Sequence, residues 1–302
     1  MCMKQLIEKF IERANTEKGF NVSIQELELN NGFAVYGFKF NEETEVPIVF
    51  NIDKAMEKFV NREIELEDAY HEVAQIIENA NIANKKIKNI KLNKEYILNN
   101  VFFETINFSE NITRLDELPF TKILDLANIF RVKLDVSVDS MNKGEPLSFL
   151  VDNNLLNKYF ITLEELNLHA KMNMFKWQTP IFFPLFLSFE LEKWDEYNHD
   201  YSTDVTNELY CLTYRDSRYG STLINSGEKL EEIANRLNSD LIIIPSSTEE
   251  LLVFRKFENW KKLALGLMEQ KQHISEELFL SNNLYEYKRG ENALHIVSDY
   301  LY

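Results

Sequence analysis

"SGEKLEEIANRLNSDLIIIPSSTEELLVFR", residues 226–255, decides the fold. Ser226 stands where a helix N-cap belongs, and Leu230, Ile233, Ala234 and Leu237 follow on one helical face. The spacing predicts a helix over 226–238. "LIII" then reads as a β-branched strand that Pro245 ends, because proline has no N–H to offer a ladder. Ser246 and Ser247 turn the backbone by side-chain hydrogen bonding, and "ELLVFR" returns as the partner strand. The expected hairpin is 241–245/250–255.

Upstream, "ELYCLTY" and "GSTLINS" predict a second hairpin, 208–215/220–225, around "RDSRYG". Downstream come a helix in "ENWKKLALGLMEQKQ" and two strands, "NLYEYK" and "ALHIVSD". A ββαββα order followed by more strand implies an α+β protein: antiparallel sheets with helices packed mainly on one face.

Toward the N-terminus, residues 3–17 place Leu6, Ile7, Phe10, Ile11 and Ala14 on one helical face. "GFAVYGFKF" (32–40) predicts a strand with "VPIVFNI" (46–52) as its hairpin partner, and helices follow around 53–60 and 66–80. "NKKIKNIK" (84–91) reads as a solvated connection. Further on, "VFFETINF" (101–108) is a strand, 120–138 one or two strands, "LSFLVDN" a strand, and 162–175 a helix opened by a Thr162/Glu165 capping box. The reading divides the chain into a small N-terminal α+β region (1–84), a middle α+β region (85–200) and a C-terminal region (201–302).

Composition bounds the function. The 302 residues are 45% apolar with 22 Phe but only 8 Gly and 6 Pro, enough for a real core with dense regular elements. With 33 basic against 49 acidic residues the formal charge is −16. Such a surface repels phosphate backbones and anionic membranes, so neither nucleic acid nor membrane is an expected direct partner. A basic or nucleic-acid-binding protein would be attracted. Cys2 and Cys211 have no CxxC spacing, which excludes a disulfide framework and fits a reducing, cytoplasmic setting. "PIFFPLFLSFEL" (180–191) is too short to span a bilayer and is broken by Pro184.

Chemical motifs are sparse. "HEVAQ" (71–75) begins like a zinc helix but has Gln75 where the second imidazole must stand. No GxGxxG, GxxxxGK[ST] or GxSxG occurs, so no metal, cofactor or serine nucleophile is expected. Two sets of polar residues remain. "FELEKWDEYNHDYSTD" (189–204) interleaves Glu190, Glu192, Asp195, Glu196 and Asp200 with Trp194, Tyr197 and Tyr201, a pattern suited to docking because aromatics anchor while carboxylates steer. The alternative is a non-standard polar site built from Asn153, Asn207, Tyr214, Ser246, Ser247 and Glu250.

Four stretches carry a resemblance: "NNGFAVYGFKFNEETEVPIVFNIDKAMEKFVNREIELEDAYHEVAQII", "LPFTKILDLANIF", "FLVDNNLLNKYFITLEELNLHAKMN" and "TNELYCLTYRDSRYGSTLINSGEKLEEIANRLNSDLIIIPSSTEELLVF". In this order they resemble an uncharacterised domain-of-unknown-function family of low-GC Gram-positive bacteria. The family's recognisable phrase has a His after "PSSI" and a small-residue pair after a Gly; here those places hold Glu249 and Ser221-Thr222. The resemblance implies carriage on conjugative elements and phages, and so accessory roles such as interference with host defence. The function expected is therefore a non-enzymatic, macromolecule-binding protein, in its concrete form a mobile-element inhibitor of a host nuclease or effector. A hydrolase or small-ligand enzyme, and a housekeeping interaction domain, are the alternatives. The sequence does not fix an oligomeric state.

Overall fold

A computed structural model describes residues 3–42, 44–136, 147–185, 209–216, 218–270 and 274–297. The chain opens with α1 (Met3–Lys18), whose buried face is Leu6, Ile7, Phe10, Ile11 and Ala14, as its periodicity requires. Then come β1 (Val22–Glu28), β2 (Ala34–Phe40), β3 (Phe50–Asn51), α2 (Asp53–Val60), α3 (Leu66–Ile87) and α4 (Lys94–Asn100). The long partner of β2 is β1, paired antiparallel from Val22↔Phe40 to Glu28↔Ala34. The expected partner, 46–52, supplies only Phe50 and Asn51. "VSIQELE" escaped the sequence reading because one residue in two is polar and only Val22 is fully buried.

"NKKIKNIK" is not a solvated connection at its start. α3 runs through it to Ile87, because Ala80, Ala83, Asn84 and Ile87 continue the buried face that begins at Ala69.

β4 (Val101–Asn107) leads to a short helix α5 (Ile112–Leu115), then β5 (Phe120–Ile123) and β6 (Leu126–Lys133) form a hairpin, Phe120↔Ile129 to Ile123↔Leu126. The last residues of β6 pair with β7 (Ser148–Leu150). α6 (Asn153–Tyr159) is capped by Asp152, and α7 (Leu163–Asn173) by the Thr162/Glu165 box, in which both reciprocal bonds are present.

The rest is β8 (Pro180–Pro184), β9 (Tyr210–Tyr214), α8 (Gly227–Leu237), β10 (Leu241–Ile244), β11 (Leu251–Arg255), α9 (Trp260–Gln270), β12 (Tyr285–Lys288) and β13 (Ala293–Ile296). Six of these strands form one sheet in the order β13-β12-β10-β11-β9-β8, with every pairing antiparallel. β8 carries Pro180 and Pro184 and occupies an edge, where a missing N–H costs least.

Two expectations change here. Residues 220–225 form a 3-10 turn, not a strand, so β9 pairs with β8 and β11 instead. The sheet also carries a helix on each face, where packing mainly on one face was expected. Ile242, Ile244 and Phe254 pack with Trp260 and Ala264 of α9. On the opposite pleat Tyr287, paired with Leu241, sends its hydroxyl to Glu231 of α8 at 2.9 Å. That arrangement buries all four residues of β10.

The chain falls into two compact units. One comprises residues 1–101 and 131–161, the other 102–130 and 162–302. Both are discontinuous, unlike the consecutive regions 1–84, 85–200 and 201–302, because β6 runs from one unit into the other. In the second unit Asp125, at the β5–β6 turn, accepts bonds from Ser281 (2.5 Å), Asn283 (2.8 Å) and the Tyr285 hydroxyl (2.6 Å). These three contacts tie that hairpin to the segment leading into β12.

Candidate functional site

The serine corner is a buried knot. Ser246, Ser247 and Thr248 are 3%, 8% and 7% exposed. The Ser246 hydroxyl donates to the Glu250 carbonyl (3.3 Å), and Ser247 accepts from the Glu249 N–H (3.2 Å). The 3-10 turn packs into the same corner. Ser221 donates to the Thr248 carbonyl (2.8 Å), and Thr213 of β9 donates to the Glu249 carbonyl (2.7 Å). Tyr219 adopts a left-handed backbone, and Gly220 follows because a Cβ there would collide with the Glu249 carbonyl and the Thr213 hydroxyl. Each hydroxyl thus satisfies a main-chain group of the corner.

Of the proposed alternative site, Tyr214, Ser246, Ser247 and Glu250 lie in this unit. The Tyr214 hydroxyl donates to the Met174 carbonyl at 3.2 Å, and burial raises its pKa to about 12. The Glu250 carboxylate accepts from the Cys211 thiol at 3.1 Å, and burial, reinforced by that carboxylate, pushes the thiol far up, away from thiolate reactivity. Asn153 belongs instead to the other unit, as the first residue of α6. Asn207 lies outside the described residues, as do Glu190, Glu192, Trp194, Asp195, Glu196, Tyr197, Asp200 and Tyr201.

A cleft of about 470 Å³ opens elsewhere in the second unit. β5 and β6 supply Thr121, Lys122, Ile123 and Asn128, while α7 supplies Asn167 and Lys171. The start of α8 and the residue before its cap supply Asn225 and Leu230, and the β12–β13 hairpin supplies Tyr287 and Asn292. Asn128 and Asn225 form a reciprocal amide pair, Nδ2 to Oδ1 at 2.7 Å one way and 3.0 Å the other. Thr105 donates to the Asn128 Oδ1 at 2.7 Å, and the Asn225 Nδ2 also reaches the Thr222 carbonyl at 3.0 Å. Tyr287, whose pKa burial and then Glu231 raise to about 12, donates to the Asn292 Oδ1 at 3.1 Å. Among the described residues the lining holds two lysines and no carboxylate.

The model of a family of unknown function (DUF5688) matches residues 2–289. The chain belongs to that family. No match was found among curated proteins or solved structures. In this DUF5688 chain, no group of three or more His, Cys, Asp or Glu side chains among the described residues could hold a metal ion. No described helix is long and apolar enough to cross a membrane.

Sequence reasoning did not single out the cleft. Its polar residues come from four separated segments, and none has a local motif. Isolated asparagines read as turn or cap residues until the fold brings them together.

Proposed function

We propose that this DUF5688 chain works by binding another macromolecule, a protein with a basic or nucleic-acid-binding surface, and not by catalysis. The observation that carries the reading is the fate of the polar corner. Its hydroxyls are bonded to main-chain groups, and its thiol is buried against a carboxylate, so the residues most like a hydrolytic site act as structural ties. The charge of −16 supports a basic partner, since complementary fields speed encounter. An inhibitor of a nuclease or effector, carried on a mobile element, is the concrete form.

The docking residues of this reading are Glu190, Glu192, Trp194, Asp195, Glu196, Tyr197, Asp200 and Tyr201, taken from sequence alone. With the partner identified by affinity purification, neutralising Asp195, Glu196 and Asp200 to Asn or Gln should slow association, and added salt should do the same. Trp194→Ala or Tyr197→Ala should speed dissociation. Binding indifferent to salt and to all five substitutions would reject this surface.

A further inference from the structure

We infer that the cleft of the second unit binds a small organic anion of nucleotide size, its phosphate or carboxylate held by Lys171 and its hydrogen-bonding edge met by Asn128 and Asn225. This stands apart from the partner reading and uses none of its residues.

Charge is the first argument. A chain with 49 acidic and 33 basic residues would place carboxylates at random around any concavity, yet among the described residues this lining has none and has the exposed ammonium of Lys171. A cleft of one sign in a molecule of the other sign concentrates the opposite ion. Elsewhere lysines find carboxylates: Lys58 with Glu72, Lys229 with Glu232, and Lys256 with Glu286, at 2.6–2.9 Å. Among the described residues, the side chains of Lys171 and Asn167 make no hydrogen bond or ion pair. The place one turn before Lys171 on α7, where a Glu would neutralise it, holds Asn167. Both side chains therefore come from one helical stripe onto the cleft. Lys122 falls on the pleat opposite Thr121 and Ile123, and its ammonium is held over the Phe108 ring at 3.9 Å, so the cation offered to the cleft is Lys171.

Preorganisation is the second argument. The Asn128–Asn225 pair is locked by Thr105 and the Thr222 carbonyl, so its amides cannot swing away. One Asn128 Nδ2 proton and one Asn225 Oδ1 lone pair stay unspent, a donor and an acceptor side by side. An amide or nucleobase edge presents the complementary pair. Ile224 and Leu230 supply apolar wall, and about 470 Å³ is the size of an ordinary small-molecule site.

The test is calorimetric titration of the intact protein with adenosine monophosphate, adenosine and N-acetylglutamate. The expected result is that adenosine monophosphate or N-acetylglutamate binds, more weakly as salt rises, while adenosine does not. Which of the two binds tells phosphate from carboxylate. Lys171→Met should weaken binding roughly tenfold or more, as loss of a charge-assisted bond does. It should leave the melting temperature unchanged, because the side chain is exposed and unpaired. Lys85→Met, on α3 of the other unit, should change nothing. No binding by any probe at millimolar concentration, adenosine binding as well as its monophosphate, or full affinity in Lys171→Met would each overturn the inference.

Discussion

Single residues in the corner show how little room the fold leaves. Gly220 is wedged against the Glu249 carbonyl and the Thr213 hydroxyl, which are hydrogen-bonded to each other. Gly220→Ala must push β9 away from the Glu249 turn, and we expect a loss of about 3 kcal/mol or more, seen as a lower denaturation midpoint. The serines matter less. Ser246→Ala with Ser247→Ala removes two long bonds, at 3.3 and 3.2 Å, and should cost about 1–2 kcal/mol without abolishing partner binding. Lost binding at unchanged stability would show that the corner is more than structural. The sequence placed the turn correctly but could not show that its hydroxyls face inward, since burial depends on what the 3-10 turn and the strand beside it bring.

At the scale of elements, α1 and α3 are clamped by Arg13. Its guanidinium bonds Glu67 twice (2.8 and 2.6 Å) and Glu17 once (2.8 Å), and lies over the Tyr70 ring at 3.7 Å. Hydrogen bonds from Tyr70 and then Arg13 lower the Glu17 pKa, and the hydrogen bond from Arg13 lowers that of Glu67. A carboxylate whose pKa is depressed by folding stabilises the native state above its unfolded pKa. That contribution is lost as pH falls through the depressed folded value. Acid should therefore loosen the α1–α3 contact, and Glu67→Gln should blunt this loss. Both glutamates are exposed, so the effect should be small and salt-sensitive; hydrogen exchange of α1 across the acid range would measure it. Arg13–Glu17 is an i,i+4 pair that spacing can show, but the part of the clamp that joins α1 to α3 is not legible in sequence, because Glu67 lies 54 residues from Arg13.

For the whole molecule, the discontinuous units make the obvious truncation a poor one. A fragment ending at residue 84 cuts α3 before the fully buried Ile87 and lacks β7 and α6 of the same unit. We expect no cooperative thermal transition from it by circular dichroism, in contrast with the intact chain. A sharp melt from residues 1–84 alone would show that the remaining elements are dispensable.

What the sequence determined by itself is local or periodic. The buried faces of α1 and α8 are the predicted ones, and the α7 capping box and the β10–β11 hairpin stand where composition and spacing put them. These depend on neighbours within a few residues, so the chain states them directly. Tertiary structure decided the rest. β1, half-polar, is a strand because β2 pairs with it; residues 220–225 curl into a turn because Gly220 fits the corner; α8 and α9 take opposite faces of one sheet. The cleft is the extreme case. Asn128, Asn167, Asn225 and Asn292 are ordinary polar residues in sequence, and only packing of distant segments makes them one surface, because convergence of side chains is a property of the fold and not of spacing along the chain.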